Sequence, residues 1–188
     1  MTKNMRDQII HTTCELLESQ GYAATGLNQI VKEAAAPKGS LYYYFPEGKE
    51  ALAAEAVQHV TAIIASRIRT NLEQIDDPVE SLRHFIYQIA EQIEVSAYQS
   101  GGPLMTIALE TATTNERLNR VCQEAYESLR LVFEEKLLIS GYAPDKAAQL
   151  STAILAAVEG GILLSRTYHS GDPLRRVGDL LALSLAKD

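Results

Sequence analysis

Three observations predict an all-α fold of nine helices for this 188-residue chain. Apolar residues recur at spacings of three and four along most of its length, the period of one helix face. No run alternates with period two between turn pairs, so no strand is expected. Six prolines and eleven glycines are few for a sheet protein rich in tight turns.

The elements follow in order. Ile9, Thr13, Leu16, Leu17 and Gln20 mark the first helix, ended by Gly21 just past its C-cap. Residues 27–34 read as a helix of about two turns. Residues 38–45 read as another, with Pro37 where a helix start tolerates proline. Gly48 precedes a long pattern through Leu52, Ala56, Val60, Ile63, Ile64, Ile68, Leu72 and Ile75. Asp77-Pro78 supplies an N-cap and a first-turn proline for Val79, Leu82, Phe85, Ile86, Ile89 and Ile93. Gly101-Gly102-Pro103 interrupts the chain before a shorter helix, 104–112. Asn115 opens the stripe Leu118, Val121, Cys122, Ala125, Leu129, Val132, Phe133 and Leu137, closed by Gly141. Ala143-Pro144-Asp145 starts the eighth helix, which runs to about Tyr168, and Gly171-Asp172-Pro173 starts the ninth. No internal repeat or low-complexity linker separates them.

Composition narrows the function. With 46% apolar and 22% charged residues this is an ordinary globular protein, not a disordered tail or a fibre. A net charge of −7 excludes a uniformly basic, nucleic-acid-coating surface. The acidity is uneven: residues 1–50 carry five Lys and Arg against six Asp and Glu, residues 51–188 twelve against eighteen. A nucleic-acid-facing N-terminus is compatible with that asymmetry. Cys14 and Cys122 lie far apart inside helical patterns and read as reduced core thiols. No signal-peptide run opens the chain and no 18-residue apolar stretch is read in it, so a cytoplasmic protein without a membrane span is expected. Glu55/His59 and Glu80/His84 sit one turn apart but read as solvated faces. No metal site, cofactor or catalytic residue is expected. No G-x-S-x-G or P-loop motif occurs, so the chain does not read as an enzyme.

Residues 25–45 carry most of the information. Two helices of two turns with a tight connection are too short to persist alone. They make sense pinned on the first helix as a helix-turn-helix, whose second helix enters the DNA major groove. Thr25, Lys38, Ser40, Tyr42, Tyr43 and Lys49 can donate to phosphate oxygens, and Gly39 permits close backbone approach. Helix starts at Leu27 and Lys38 would offer free N–H groups to phosphates. Three consecutive tyrosines, Tyr42 to Tyr44, span about 200° of a helix, so at least one is expected inside and at least one outside.

This segment resembles the DNA-binding signature of the TetR family of bacterial transcriptional regulators. The matching residues are Thr25, Ile30-Val31, the small-residue turn 34–37, Gly39-Ser40-Leu41-Tyr42, Tyr44-Phe45 and Lys49-Glu50-Ala51-Leu52. The match covers about 45 residues, and the helix count extends it to the whole chain. It implies a TetR-like architecture: a helix-turn-helix DNA-binding domain at 1–48 and a ligand-binding and dimerisation domain at 49–188. It also implies DNA contacts from Lys38, Gly39 and Tyr43, with Thr25, Gly26, Ser40, Tyr42 and Lys49 around them, and core positions for Leu41 and Phe45. Two departures stand out. Ala35 occupies the turn position where the family usually has Gly; a left-handed backbone there costs Ala about 1–2 kcal/mol. The 45–49 segment is one residue longer than the commonest spacing. That length, Pro37-Lys38-Gly39-Ser40 and Gly101-Gly102-Pro103-Leu104 resemble the LmrA/YxaF-type branch, some of whose members respond to flavonoids and other aromatic compounds.

The eighth helix is the least amphipathic, with Glu159 its sole charge across 153–164. A helix apolar all round is covered on more than one side. In TetR-like proteins the last two helices form the dimer interface, which implies a seam of Ile154, Gly160, Gly161, Leu164, Leu180 and Leu181, with Leu163 and Leu174 beside it. An internal core helix is the alternative. Glu159 reads either as a pocket-lining group or as an edge carboxylate paired with an arginine such as Arg166. Phe85, Ile89, Met105, Leu109, Tyr126 and Phe133 are the other pocket candidates, with plain core packing as the alternative. The acidic balance favours a neutral, cationic or lipophilic ligand.

The function expected is a dimeric, ligand-responsive regulator. It is a repressor released from a palindromic operator by a small lipophilic or aromatic effector. The alternatives are a helical small-molecule-binding protein and an interaction module that does not read DNA.

Overall fold

The computed structural model describes residues 4–185. Among these residues it has nine helices and no strand: α1 (Met5–Ala24), α2 (Leu27–Glu33), α3 (Lys38–Tyr44), α4 (Lys49–Glu73), α5 (Pro78–Val95), α6 (Pro103–Thr111), α7 (Glu116–Ile139), α8 (Pro144–Tyr168) and α9 (Asp172–Leu185). Apart from α1, which runs past its expected end at Gly21 to Ala24, the helix ends that the sequence marks fall within two residues of expectation, because the caps are local. Asp77 accepts from the Glu80 N–H at 2.8 Å, and Asn115 accepts from the Leu118 N–H at 2.8 Å. The regular turns of α1 stop at Gly21 (φ 77°, ψ 178°). A side chain there would run into the Glu110 carboxylate.

Four helices close through the same left-handed motif. After α2, the Ala36 N–H reaches Val31 O (3.0 Å) and the Ala35 N–H reaches Lys32 O (3.2 Å). The residue that must turn left is Ala35, at φ 47°. The same pair of bonds follows α5 at Ala97, α7 at Gly141 and α8 at His169, all with positive φ. Glycine is the usual residue for this conformation, and of the four positions only 141 has it. Ala35 therefore does take the left-handed backbone that its place in the turn foreshadows.

The chain packs into two compact units, residues 4–62 with 102–126, and residues 63–101 with 127–185. In the first, Ile9, Ile10, Leu16, Ile30, Leu41, Phe45 and Leu52 bury a core shared by α1, α2, α3 and the start of α4. The Gln8 side chain ties α1 to the end of α2 by donating to Ala34 O (2.8 Å). Helix α6 belongs to this unit because it packs along α1.

In the second unit, α5, α8 and α9 pack together. Phe85 and Phe133 meet with centroids 6.0 Å apart. Lys136 donates to Leu72 O (2.8 Å) and Ile75 O (2.7 Å), a cation placed on the C-terminal end of α4. Glu94 joins the start of α9 by accepting from Gly171 N (2.9 Å) and from both Arg175 guanidinium nitrogens. Gly161 lies under Leu174, whose Cδ2 would stand 2.8 Å from an added Cβ.

Helix α8 is long and apolar enough to cross a membrane by length and composition, with a mean hydropathy of 1.6 over 18 residues, 28% of which are buried. The sequence reading missed this window because it stopped at the twelve residues around Glu159, whereas the average absorbs a single carboxylate. The buried side of the helix meets α5 and α9.

Candidate nucleic-acid interface

Helix α3 is held from below. Leu41 and Phe45 are fully buried, and the Arg6 guanidinium lies 5.5 Å from the Phe45 ring centroid. Anchoring those two positions turns the opposite face outward. Tyr43 is 79% and Tyr42 58% exposed, while Tyr44 is half-buried and meets Tyr43 edge-on at 5.0 Å. The tyrosine run thus splits as its 200° arc requires. Lys38 and Gly39 are exposed and Ser40 half-buried at the start of the same helix.

Gly26 and Gly39 have no internal reason to be glycine. Neither has positive φ, and an added Cβ at either meets nothing within 4 Å. Both leave bare backbone at the solvent edge of a helix start. Lys49 is half-buried, its ammonium 4.2 Å from the Tyr22 ring centroid. Burial lowers the Lys49 pKa, and Glu110 acts against that shift.

Thr25 is placed differently from its expected role. Its side chain is buried (1% exposed) and its hydroxyl donates to Gly21 O at 2.7 Å. A hydroxyl has one proton, so none is left for a phosphate. Thr25 closes the α1–α2 turn. Gln20 Nε2 donates to the Thr25 hydroxyl oxygen at 3.4 Å and to Gln29 Oε1 at 2.9 Å, knitting α1 to α2.

The effector candidates fall in both units. Met105, Leu109 and Tyr126 belong to the first, and Phe85, Ile89, Phe133 and Glu159 to the second. Leu109 is 75% exposed, so it leaves the set of pocket-lining side chains: it sits on the outward arc of α6. Phe85 and Phe133 are buried against each other. Phe133 also lines a small cavity of about 10 Å³ with Leu72, Leu82, Leu137 and Ile154, room for about one water. Glu159 is half-buried on α8, and Arg166, its suggested partner, donates to Tyr98 O at 3.2 Å.

Two members of the expected seam also move. Ile154 is 2% exposed within a single chain, and Gly161 faces Leu174. Gly161 serves the internal α8–α9 contact, and Ile154 lines the small cavity beside Phe133 and Leu72. Gly160, Leu164, Leu180 and Leu181 remain, with Leu164 and Leu180 exposed and the space beside Gly160 open. Leu163, Tyr168 and Leu183 extend the same outward apolar surface. Among the described residues no group of three or more His, Cys, Asp or Glu could hold a metal ion.

Comparison with known proteins decides the family. Residues 9–56 match the model of bacterial regulatory proteins, tetR family, and residues 78–180 match the C-terminal domain of LmrA/YxaF-like transcriptional regulators. The chain belongs to the TetR family. It is 42% identical to the HTH-type transcriptional regulator YxaF of Bacillus subtilis, covering 97% of this chain and 95% of that one. It is 40% identical to LmrA of the same organism, covering 94% of each. Reduced NemR of E. coli shares the fold, with a TM-score of 0.82 over 95% of both chains at 19% identity. These families and relatives are transcriptional regulators, not enzymes. TetR-family regulators bind operator DNA and small-molecule effectors and act as dimers.

The sequence reading missed the long-range contacts of three side chains of the first unit: Glu110, Asn115 and Arg117. Glu110 accepts from the Ala23 N–H at 2.9 Å. Asn115 donates to Glu50 at 2.7 Å, and Arg117 to Glu47 at 2.7 Å. Their partners lie 65 to 87 positions away in the chain, so no local pattern announces them.

Proposed function

We propose that this TetR-family chain is a cytoplasmic, homodimeric repressor that reads a twofold operator through α3 and is released by a small lipophilic or aromatic effector. The observation that carries the reading is the bare, cationic start of α3. Lys38 and Gly39 stand free beside exposed Tyr42 and Tyr43, and the glycines at 26 and 39 answer no internal demand. An outside backbone that approaches closely explains them, and a phosphate chain is such a partner. Lys38, Ser40, Tyr42 and Tyr43 contact DNA, and Lys49 reaches a phosphate by leaving the Tyr22 ring. Residues 1–48 form the reading domain, and 49–188 the effector and dimer domain.

The dimer forms on the outward apolar surface of α8 and α9, through Gly160, Leu163, Leu164, Leu180 and Leu183. A second copy there covers the side of α8 that would otherwise suit a bilayer, so no membrane is involved. Phe85, Ile89, Phe133 and Glu159 of the second unit contact the effector. Its aromatic, flavonoid-like character is inferred from the LmrA/YxaF branch and from the apolar nature of these side chains.

A DNA titration at two salt concentrations tests the reading, using duplexes selected by the protein from a random pool. Tight, selective binding that weakens steeply with salt supports it. A panel of aromatic compounds should then release the complex. Binding without selectivity or salt dependence refutes it.

A further inference from the structure

We propose that Glu110 is a positioning residue for DNA reading: from α6 it fixes the backbone turn that feeds α2 and α3. The proposal rests on the DNA-binding reading above. Three contacts of the first unit carry it. The Glu110 carboxylate accepts from the Ala23 N–H at 2.9 Å. That N–H lies two residues beyond the Gly21 kink and two before Thr25, whose hydroxyl closes the same turn onto Gly21 O. Gly21 itself is free of a Cβ where the carboxylate lies, so the turn and the carboxylate are shaped to each other.

The far end of the reading segment is held from the same neighbourhood. Asn115, at the start of α7, donates to Glu50 at 2.7 Å. Arg117 donates to Glu47 at 2.7 Å. Residues 110–117 therefore touch the chain just before α2 and just after α3. The exit pair Arg117–Glu47 is solvent-exposed and contributes little. The entry bond joins a charged acceptor to a backbone donor, and such bonds are the stronger kind. Asn115–Glu50 likewise uses a charged acceptor and is part-buried, so the segment is held at both ends, and Glu110 is the hold on the entry turn.

The sign of its effect separates this role from plain electrostatics. Removing a carboxylate from a chain of net charge −7 should strengthen binding to a polyanion. A lost positioning contact weakens it instead. Glu110→Ala should lower operator affinity roughly tenfold with an unchanged salt slope, since no phosphate contact is lost. Glu110→Gln keeps an oxygen acceptor for the Ala23 N–H and should bind within about twofold of the parent chain. Glu116→Gln, which removes a charge from the adjacent Arg120 pair, should leave affinity unchanged or raise it.

Amide exchange on the free full-length protein supplies an arm independent of DNA. In Glu110→Ala the Ala23 amide and the amides of α2 should exchange at least about tenfold faster, while α9 stays as protected as before. Equal or tighter DNA binding by Glu110→Ala overturns the proposal, as does unchanged exchange at Ala23. If the parent chain selects no DNA, the DNA-binding reading fails, and faster exchange in Glu110→Ala would still establish the hold on the turn.

Discussion

Replacing Ala35 with glycine should stabilise the reading unit, and the size of the gain can be worked from the turn. Ala35 is fixed at φ 47° by two hydrogen bonds, its own N–H to Lys32 O and the Ala36 N–H to Val31 O. An L-residue in that region carries about 1–2 kcal/mol of strain. Glycine removes the strain but has more backbone freedom to lose on folding, about 0.5–1 kcal/mol. The methyl group is exposed, so deleting it forfeits no buried area. Taking the middle of each range, the net gain is about 0.75 kcal/mol, and at about 2–4 °C per kcal/mol for a chain of this size the midpoint should rise by about 1.5–3 °C. Calorimetry reads the midpoint, and amide exchange at Ala36 reads the same gain locally. Gly141→Ala is the reverse experiment, because Gly141 occupies the same position after α7 at φ 84°. It should lower the midpoint by a similar amount. A fall with Ala35→Gly, or a neutral Gly141→Ala, would refute the assignment of strain to these turns.

Other outcomes follow from the same geometry. Lys38→Ala and Tyr43→Ala should abolish selective operator binding in a gel shift while leaving sedimentation unchanged; in any residual binding by Lys38→Ala the salt slope should fall by about one. Gly160→Leu should shift the protein from dimer to monomer in sedimentation, because it bulges from the outward apolar surface of α8. Gly161→Ala should instead lower the thermal midpoint, because the new methyl meets Leu174 inside one chain. The Arg175 guanidinium and the Gly171 N–H hold the Glu94 carboxyl below its ordinary pKa of 4.5. A depressed carboxylate pKa gives stability that is full above the unfolded value and lost as pH falls through the folded one. The midpoint should therefore drop on acidification below about pH 4.5 in the parent chain, and less so in Glu94→Gln. Burial pushes the Cys14 thiol up to about 12 and raises that of Cys122, so neither should react with a disulfide reagent at pH 8 until denaturant is added.

Helices and their caps were legible because their signals are local: Asp77-Pro78 and Asn115 announce their own helices, and Leu41 and Phe45 sit four apart. Long-range assignments were harder. The apolar stripe of α8 has two sides, one buried internally and one exposed and proposed for a second copy. Periodicity alone cannot tell Gly160, which faces open space, from Gly161, which faces Leu174. Hydroxyl chemistry marked Thr25 as a donor but could not say that Gly21 O had claimed its proton. Leu109 lay on the stripe of a short helix, where a small error of rotation exchanges inside for outside. Glu110 gave no sign at all, since its partner is a backbone amide 87 positions away.

The corner between α8 and α9 is closed twice through Ser165. Its carbonyl accepts from the Ser170 N–H at 3.1 Å, and its hydroxyl accepts from the Leu174 N–H at 3.3 Å. In the proposed dimer this hairpin is thus a finished template before the second copy arrives. Docking onto it freezes few new backbone torsions, so most of the ordering cost of association is already met within one chain. Dissociation on dilution should then release folded protomers, and exchange of subunits between dimers should proceed without passing through an unfolded state.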